Sequence, residues 1–176
     1  VYSTTDTQGD STIASGLLSI PVGLECTELP MAVYCHGTVL QKSNVPSSLN
    51  YESGTVRQFA SSGYIGLGPD YIGFGESPGL HPYQHNVTQA TATIDMIHAV
   101  REFLEDEEVS DNHEVFITGY SQGGHAAMAT LMYAQQNGLT EELGIVAGAP
   151  CSGSYDLSGT TAPPVIYEQI SYGFFG

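Results

Sequence analysis

A nucleophilic serine is the first chemical feature that the sequence predicts. Residues 119–123, Gly-Tyr-Ser-Gln-Gly, have the pattern G-x-S-x-G, with a predicted strand over 114–118 before them and a predicted helix over 124–137 after them. The two glycines permit a strand-to-helix turn that is too tight for a Cβ atom. Such a turn raises the Ser121 hydroxyl out of the sheet and aims the backbone N–H of Gln122 at a developing oxyanion. The same pattern occurs in turns without a nucleophile, but the flanking elements favour a catalytic serine.

A second oxyanion donor is predicted at His36-Gly37-Thr38, directly after a short apolar strand over residues 31–35. Acyl transfer needs another N–H group near the end of a neighbouring strand, and the backbone N–H of Thr38 is best placed to supply it. The alternative is an ordinary turn in which His36 only hydrogen-bonds to the backbone.

A loop is predicted over residues 68–82, which contain four Gly and three Pro. We expect Asp70 to hold this loop by accepting backbone N–H bonds. The alternative is a carboxylate that faces the substrate. His81 and His85 lie in or beside the loop, and single histidines in loops are usually structural or exposed.

The elements that must position these residues alternate in type. The patterns predict strands over 12–20, 31–35, 64–67, 114–118 and 144–149, and helices over 56–61, 87–104 and 124–137. The first strand ends at Pro21 and the last at Pro150. Alternation of this kind predicts an α/β fold in one domain over residues 1–176, with a mostly parallel, doubly wound sheet and helices on both faces.

The charge excludes several classes of function. The 176 residues contain 19 Asp and Glu against 3 Lys and Arg, which gives a net charge of −16. Nucleic acids and anionic membranes both require a basic surface, so neither is an expected partner. The sequence contains no Cys and His cluster with metal-ligand spacing, and we expect no metal.

The three cysteines leave two alternatives open. They are Cys26, Cys35 and Cys151. An odd count allows one disulfide with one free thiol, or three buried thiols.

Taken together, the motifs resemble those of the α/β-hydrolase superfamily, and within it the secreted lipase and esterase branch. They are HGT after a short strand, PDYIGFGESPGLHPY, GYSQGGHAAMA and AGAPCSGSYDL, and the resemblance extends from about residue 12 to about residue 157. It implies hydrolysis of small-molecule or lipid carboxylic esters through an acyl-enzyme on Ser121. It also implies an oxyanion hole from the N–H groups of Thr38 and Gln122, no cofactor, and a secreted or periplasmic location.

The general base is missing from this pattern. The superfamily order along the chain is Ser, then Asp or Glu, then His. His125 is the one histidine after Ser121, and its place one turn along the same helix favours a structural role. Asp156 is a weak candidate for the acid and is as well placed to cap a turn. The remaining histidines precede the serine: His36, His81, His85, His98 and His113.

We therefore expect the chain to correspond to the N-terminal portion of the fold, through about the sixth of eight strands, with the C-terminal strands outside this chain. We expect a second polypeptide segment to carry the catalytic Asp and His. Two other interpretations remain: a serine peptidase or amidase on the same scaffold, and a hydrolase-like protein with incomplete catalytic machinery.

Overall fold

The computed structural model describes residues 1–24, 27–107 and 109–161. Its strands are β1 (Tyr2–Thr5), β2 (Ser11–Ala14), β3 (Gly16–Ser19), β4 (Glu28–Cys35), β5 (Ile65–Pro69), β6 (Ser110–Tyr120) and β7 (Ile145–Cys151). Its α-helices are α1 (Ser53–Ser61), α2 (Asn86–Leu104), α3 (Gln122–Gln136) and α4 (Thr140–Leu143). A 3₁₀ turn spans Pro46–Ser48, and a π-helical turn spans Leu157–Thr161.

The main sheet has five strands in the order β3-β5-β4-β6-β7. Strands β5, β4, β6 and β7 are parallel, and β3 joins the β5 edge in antiparallel orientation. Strands β1 and β2 form a separate antiparallel hairpin. The predicted α/β fold with a mostly parallel sheet is confirmed.

Helices cover both faces of this sheet. Gly66 and Gly68 point toward Val56 of α1, because a Cβ on either glycine would press on that residue. Side chains alternate along a strand, so Ile65 and Leu67 face the opposite side. There they join a core that includes buried residues of α2 and α3. The apolar face of each helix is thus buried against the sheet, which is the main source of its stability.

The prediction of one strand over residues 12–20 is wrong. The segment is divided between β2, which pairs with β1, and β3, which pairs with β5. The break falls at Ser15, whose buried hydroxyl bonds to the Asp70 side chain. A run of strand-forming residues predicts an extended chain, but it does not predict where the chain leaves one neighbouring strand and pairs with another.

Strand β7 also differs from its prediction. It continues through Pro150 to Cys151 instead of stopping before the proline. Proline lacks a backbone N–H, which an edge strand tolerates, and β7 is at the edge of the described sheet.

The cysteines are partly described. Cys35 is buried and Cys151 is exposed, and both are free thiols. The exposed Cys151 contradicts the alternative with three buried thiols, and a disulfide within the chain would need Cys35 or Cys151, so both predicted alternatives are wrong. Cys26 itself lies outside the described residues. In the described part of the chain no helix is long and apolar enough to cross a membrane.

Candidate active site

Ser121 occupies the turn between β6 and α3 with a left-handed backbone. Its φ is 58° and its ψ is −119°, a conformation that costs about 1–3 kcal/mol for a residue with a side chain. The surroundings fix this conformation from both directions. The Ser121 N–H donates to the Cys151 carbonyl at 3.0 Å, and the Ser121 carbonyl accepts from the His125 N–H at 3.1 Å. A strained serine that is held in this way is typical of a nucleophile at a strand-to-helix turn.

The two glycines of the motif allow β4 to pack directly against this turn. A Cβ on Gly123 would overlap the Cys35 carbonyl oxygen and lie 2.8 Å from that of His36. A Cβ on Gly119 would lie 2.7 Å from the same Cys35 oxygen. Cys35 and Gly119 are also register partners, so β4 and β6 end at the same edge of the sheet.

The structure brings Thr38 and Gln122 to this edge together with Ser121. Gln122 is the first residue of α3 and is fully buried. The turn that contains Thr38 contacts the serine turn, since a Cβ on Gly37 would lie 3.5 Å from the Tyr120 carbonyl oxygen. The unpaired N–H groups at a helix N-terminus and a neighbouring turn form a suitable environment for an anion.

Asp70 has a structural role, as predicted, but the backbone N–H that its carboxylate accepts belongs to Ser47, outside the loop. Asp70 is fully buried directly after β5. Its Oδ1 accepts the Ser47 N–H at 3.0 Å, and its Oδ2 accepts the Ser15 hydroxyl at 2.6 Å. The Ser15 hydroxyl in turn accepts the Glu76 N–H at 3.0 Å. The carboxylate therefore links the start of the loop after β5, at Asp70, to Glu76 through the Ser15 hydroxyl. Sequence reasoning missed Ser15 and Ser47, and nothing in their local sequence indicates this role.

The side chain of each of the six histidines contacts a group other than the Ser121 hydroxyl. His36 contacts the carbonyl oxygens of Gly37 and Asp70, and His81 contacts that of Ile72 and the Gln122 side chain. His85 contacts Thr88, His98 contacts Glu142, His113 contacts the Glu141 carbonyl oxygen, and His125 contacts Gln89. The structural role predicted for His125 is confirmed, since its Nδ1 lies 2.7 Å from Gln89 Oε1.

Asp156 accepts the Gly159 N–H at 2.9 Å and so caps the turn that follows β7. This is the turn-capping role that the sequence offered as the alternative to a catalytic acid. Among the described residues no group of three His, Cys, Asp or Glu side chains is arranged to hold a metal ion.

Burial changes the protonation chemistry near this edge. It lowers the pKa of both His81 and His125, which favours the neutral imidazole. Burial also raises the pKa of the Cys35 thiol to about 12. Cys35 is therefore a neutral and unreactive thiol at physiological pH.

Comparison with solved structures gives close matches to esterases and lipases. The rice cell wall degrading esterase LipA from Xanthomonas oryzae is 36% identical, with a TM-score of 0.80, over 89% of this chain and 42% of that chain. A putative hydrolase from Legionella pneumophila is 28% identical, with a TM-score of 0.79, over 99% of this chain and 51% of that chain. Candida antarctica lipase A is 19% identical, with a TM-score of 0.60, over 84% of this chain and 36% of that chain, and shows the fold alone.

The present chain thus spans about half or less of the length of these structures. A search of curated proteins finds no match. The family model described as secretory lipase matches residues 41–161, which include the loop after β5 and the serine turn. With most of its length matched by this model, the chain belongs to the secretory lipase family.

Proposed function

We propose that this chain carries the nucleophile and the oxyanion hole of a serine-dependent carboxylic ester hydrolase. The observation that supports this most directly is the backbone of Ser121, at φ 58° and ψ −119° between β6 and α3. A structure retains such strain only where the surroundings over-determine it, and active sites are the usual place. Membership of the secretory lipase family and 36% identity to an esterase point to the same chemistry.

The proposed reaction proceeds through an acyl-enzyme. Ser121 Oγ attacks the acyl carbon while a base accepts the hydroxyl proton, and the carbonyl π electrons move to oxygen. The N–H groups of Gln122 and Thr38 donate to this oxyanion. The tetrahedral intermediate collapses, the C–O bond to the alcohol breaks, and the protonated base returns its proton to the leaving alkoxide. Water then attacks the acyl-enzyme by the same route and releases the acid.

We propose further that the base and its acid come from a second polypeptide segment. The side chains of all six histidines contact groups other than the Ser121 hydroxyl, so a base from within the 176 residues would have to change its present position. The matched esterase LipA extends well beyond the matched region, since this chain covers 42% of it.

The substrate that this surface favours is a neutral small-molecule or lipid ester. With 3 basic residues against 19 acidic ones, the chain repels polyanionic substrates and nucleic acids. Secretion or a periplasmic location accords with the description of the family.

The test uses the protein as isolated from its source, with an intact-mass measurement to define every polypeptide present. The sample is treated with a fluorophosphonate and digested, and the modified residue is identified. We expect the adduct on Ser121. Ser121→Ala should remove the adduct and lower kcat/KM for p-nitrophenyl butyrate by about 10⁴-fold or more. Ser62→Ala, which changes an exposed serine after α1, should leave both unchanged.

Two results would overturn the proposal. One is full ester hydrolysis by Ser121→Ala. The other is a preference for the anilide of butyric acid over its p-nitrophenyl ester, which would indicate an amidase. A preparation that holds one 176-residue polypeptide and hydrolyses the ester at full rate would overturn the proposal of an external base.

A further inference from the structure

The side chains of both proposed oxyanion-hole residues contact the same short segment, His81-Pro82-Tyr83. Gln122 Nε2 lies 2.6 Å from His81 Nε2, and Thr38 Oγ1 lies 2.9 Å from the Tyr83 hydroxyl. Thr38 follows β4 and Gln122 follows β6, so the segment connects the ends of two strands. We propose that His81-Pro82-Tyr83 is a brace that positions the two oxyanion donors, with His81 as its principal residue. This inference rests on the proposed function of Ser121.

The hydrogen bonds of His81 determine its tautomer. Its Nδ1 lies 2.9 Å from the Ile72 carbonyl oxygen, which can only accept a hydrogen bond, so Nδ1 carries a proton. In a neutral imidazole Nε2 is then an acceptor. The amide of Gln122 must therefore present its NH₂ group to His81, and the imidazole holds the side chain in one orientation.

In that orientation one polar atom of Gln122 has no hydrogen-bond partner. Its Oε1 is buried and has no hydrogen-bond partner in the described part of the chain. A buried amide that turned freely would place Oε1 against a donor, since unpaired buried acceptors are unfavourable. The contact with His81 prevents the amide of Gln122 from turning. Sites that keep a buried polar atom without a hydrogen-bond partner are often functional.

His81 is itself held firmly by the loop after β5. Its ring stacks on Phe74, with ring centroids 4.3 Å apart at 24°. Gly73, at φ 80°, allows the backbone of His81 to pack against it, because a Cβ there would lie 2.5 Å from His81 Cα. The loop is in turn anchored by buried Asp70. A rigid support is what a positioning residue requires.

The test separates the two hydrogen bonds of His81 with two variants, each of which keeps one of the two polar positions. His81→Asn keeps a donor at the Nδ1 position toward the Ile72 carbonyl and loses the contact with Gln122. His81→Gln keeps an acceptor at the Nε2 position toward Gln122. We expect His81→Asn to lower kcat for p-nitrophenyl butyrate about 10-fold with KM within about twofold, because the lost interaction acts in the transition state. His81→Gln should restore kcat to within about threefold of the parent.

A double-mutant cycle gives the decisive measurement. Gln122→Ala keeps the backbone N–H but removes the side chain that His81 holds. In that background His81→Asn should change kcat by less than about twofold. A second cycle tests the contact between Tyr83 and Thr38. Tyr83→Phe should lower kcat less than His81→Asn does, and it should have no effect on kcat in a Thr38→Val background. Thermal unfolding of each variant reports any general loss of structure.

An undiminished effect of His81→Asn in the Gln122→Ala background would overturn the inference, because His81 would then act through the loop and not through Gln122. Equal kcat values for His81→Asn and the parent would overturn it as well. Ser121→Ala is measured in the same assay. If that variant retains activity, the proposed function fails, and this outcome is distinct from a failure of the brace.

Discussion

The two sides of Ser121 differ sharply in how completely they are covered. Toward β5, every residue of the strand is buried, and the loop that follows is fixed by the Asp70 carboxylate. Toward β7, the four residues from Val146 to Ala149 are exposed, and Val146 itself is 53% exposed. Both strands are comparably apolar in sequence. Parallel strands are normally buried on both faces, so β5 shows the expected environment and β7 does not.

The difference in burial corresponds to a difference between two catalytic parts. The chain positions the proposed oxyanion donors, but it does not position a base for Ser121. The residues proposed for the oxyanion hole, Thr38 and Gln122, lie on the buried side, where β4, β6 and the loop after β5 meet. In the described part of the chain, the side chain of each histidine contacts a group other than the Ser121 hydroxyl. Under the proposed mechanism, nucleophile activation and oxyanion stabilisation depend on different regions, and variants on the two sides of Ser121 should behave differently.

The largest effect is expected from Gly123→Ala. Its Cβ would overlap the carbonyl group of Cys35, the last residue of β4, and lie 2.8 Å from the His36 carbonyl oxygen, and backbone atoms cannot move aside without a large energy cost. We expect the free energy of unfolding to fall by about 3 kcal/mol and the fluorophosphonate adduct on Ser121 to be lost. Chemical denaturation and mass spectrometry measure the two quantities.

The matched control is Gly148→Ala in β7. The three atoms nearest to a Cβ there all belong to the Leu131 side chain, whose rotation relieves the contact. The cost should stay below about 1 kcal/mol. Equal losses in the free energy of unfolding of the two variants would show that the packing around Gly123 is no tighter than the packing around Gly148.

A smaller effect is expected from Asp70→Ala. The change leaves the Ser47 N–H and the Ser15 hydroxyl without their acceptor in a buried site. We expect a loss of about 2–3 kcal/mol in the free energy of unfolding, with a lesser loss for Asp70→Asn, which keeps one acceptor oxygen. Asp106→Ala, at an exposed acid after α2, should change stability by less than about 0.5 kcal/mol. A loss no larger for Asp70→Ala than for Asp106→Ala would contradict the anchoring role.

The smallest effect concerns pH. Burial lowers the pKa of His81 and of His125 below the ordinary 6.5. The unfolded chain therefore binds protons that the folded chain does not. The associated stability is fully present above about pH 6.5 and is lost as the pH falls through the folded-state pKa.

His125→Asn tests this contribution, because it keeps a donor for Gln89 Oε1 but cannot titrate. Below pH 6.5 the free energy of unfolding of this variant should fall less steeply than that of the parent, while the two curves run parallel at pH 8. Denaturant titrations at several pH values provide the comparison, and parallel curves throughout would refute the assignment.

Much of the fold follows from local pattern. The helix predicted over 87–104 corresponds to α2 at Asn86–Leu104, and the helix predicted over 124–137 corresponds to α3 at Gln122–Gln136. Long helices with regular apolar spacing are strongly determined by their own sequence. The division of residues 12–20 between two sheets was not predictable, because strand partners are distant in sequence.

For the candidate site, the sequence alone determined the serine turn, the presence of a second turn after β4 and the absence of a histidine in the expected order. These follow from residue type and spacing, which act within a few neighbours along the chain. The tertiary structure alone decided that His81 and Tyr83 meet Gln122 and Thr38, across 41 and 45 residues respectively. Such contacts depend on how strands are ordered in the sheet, and strand order is set by packing over the whole domain and not by local preference.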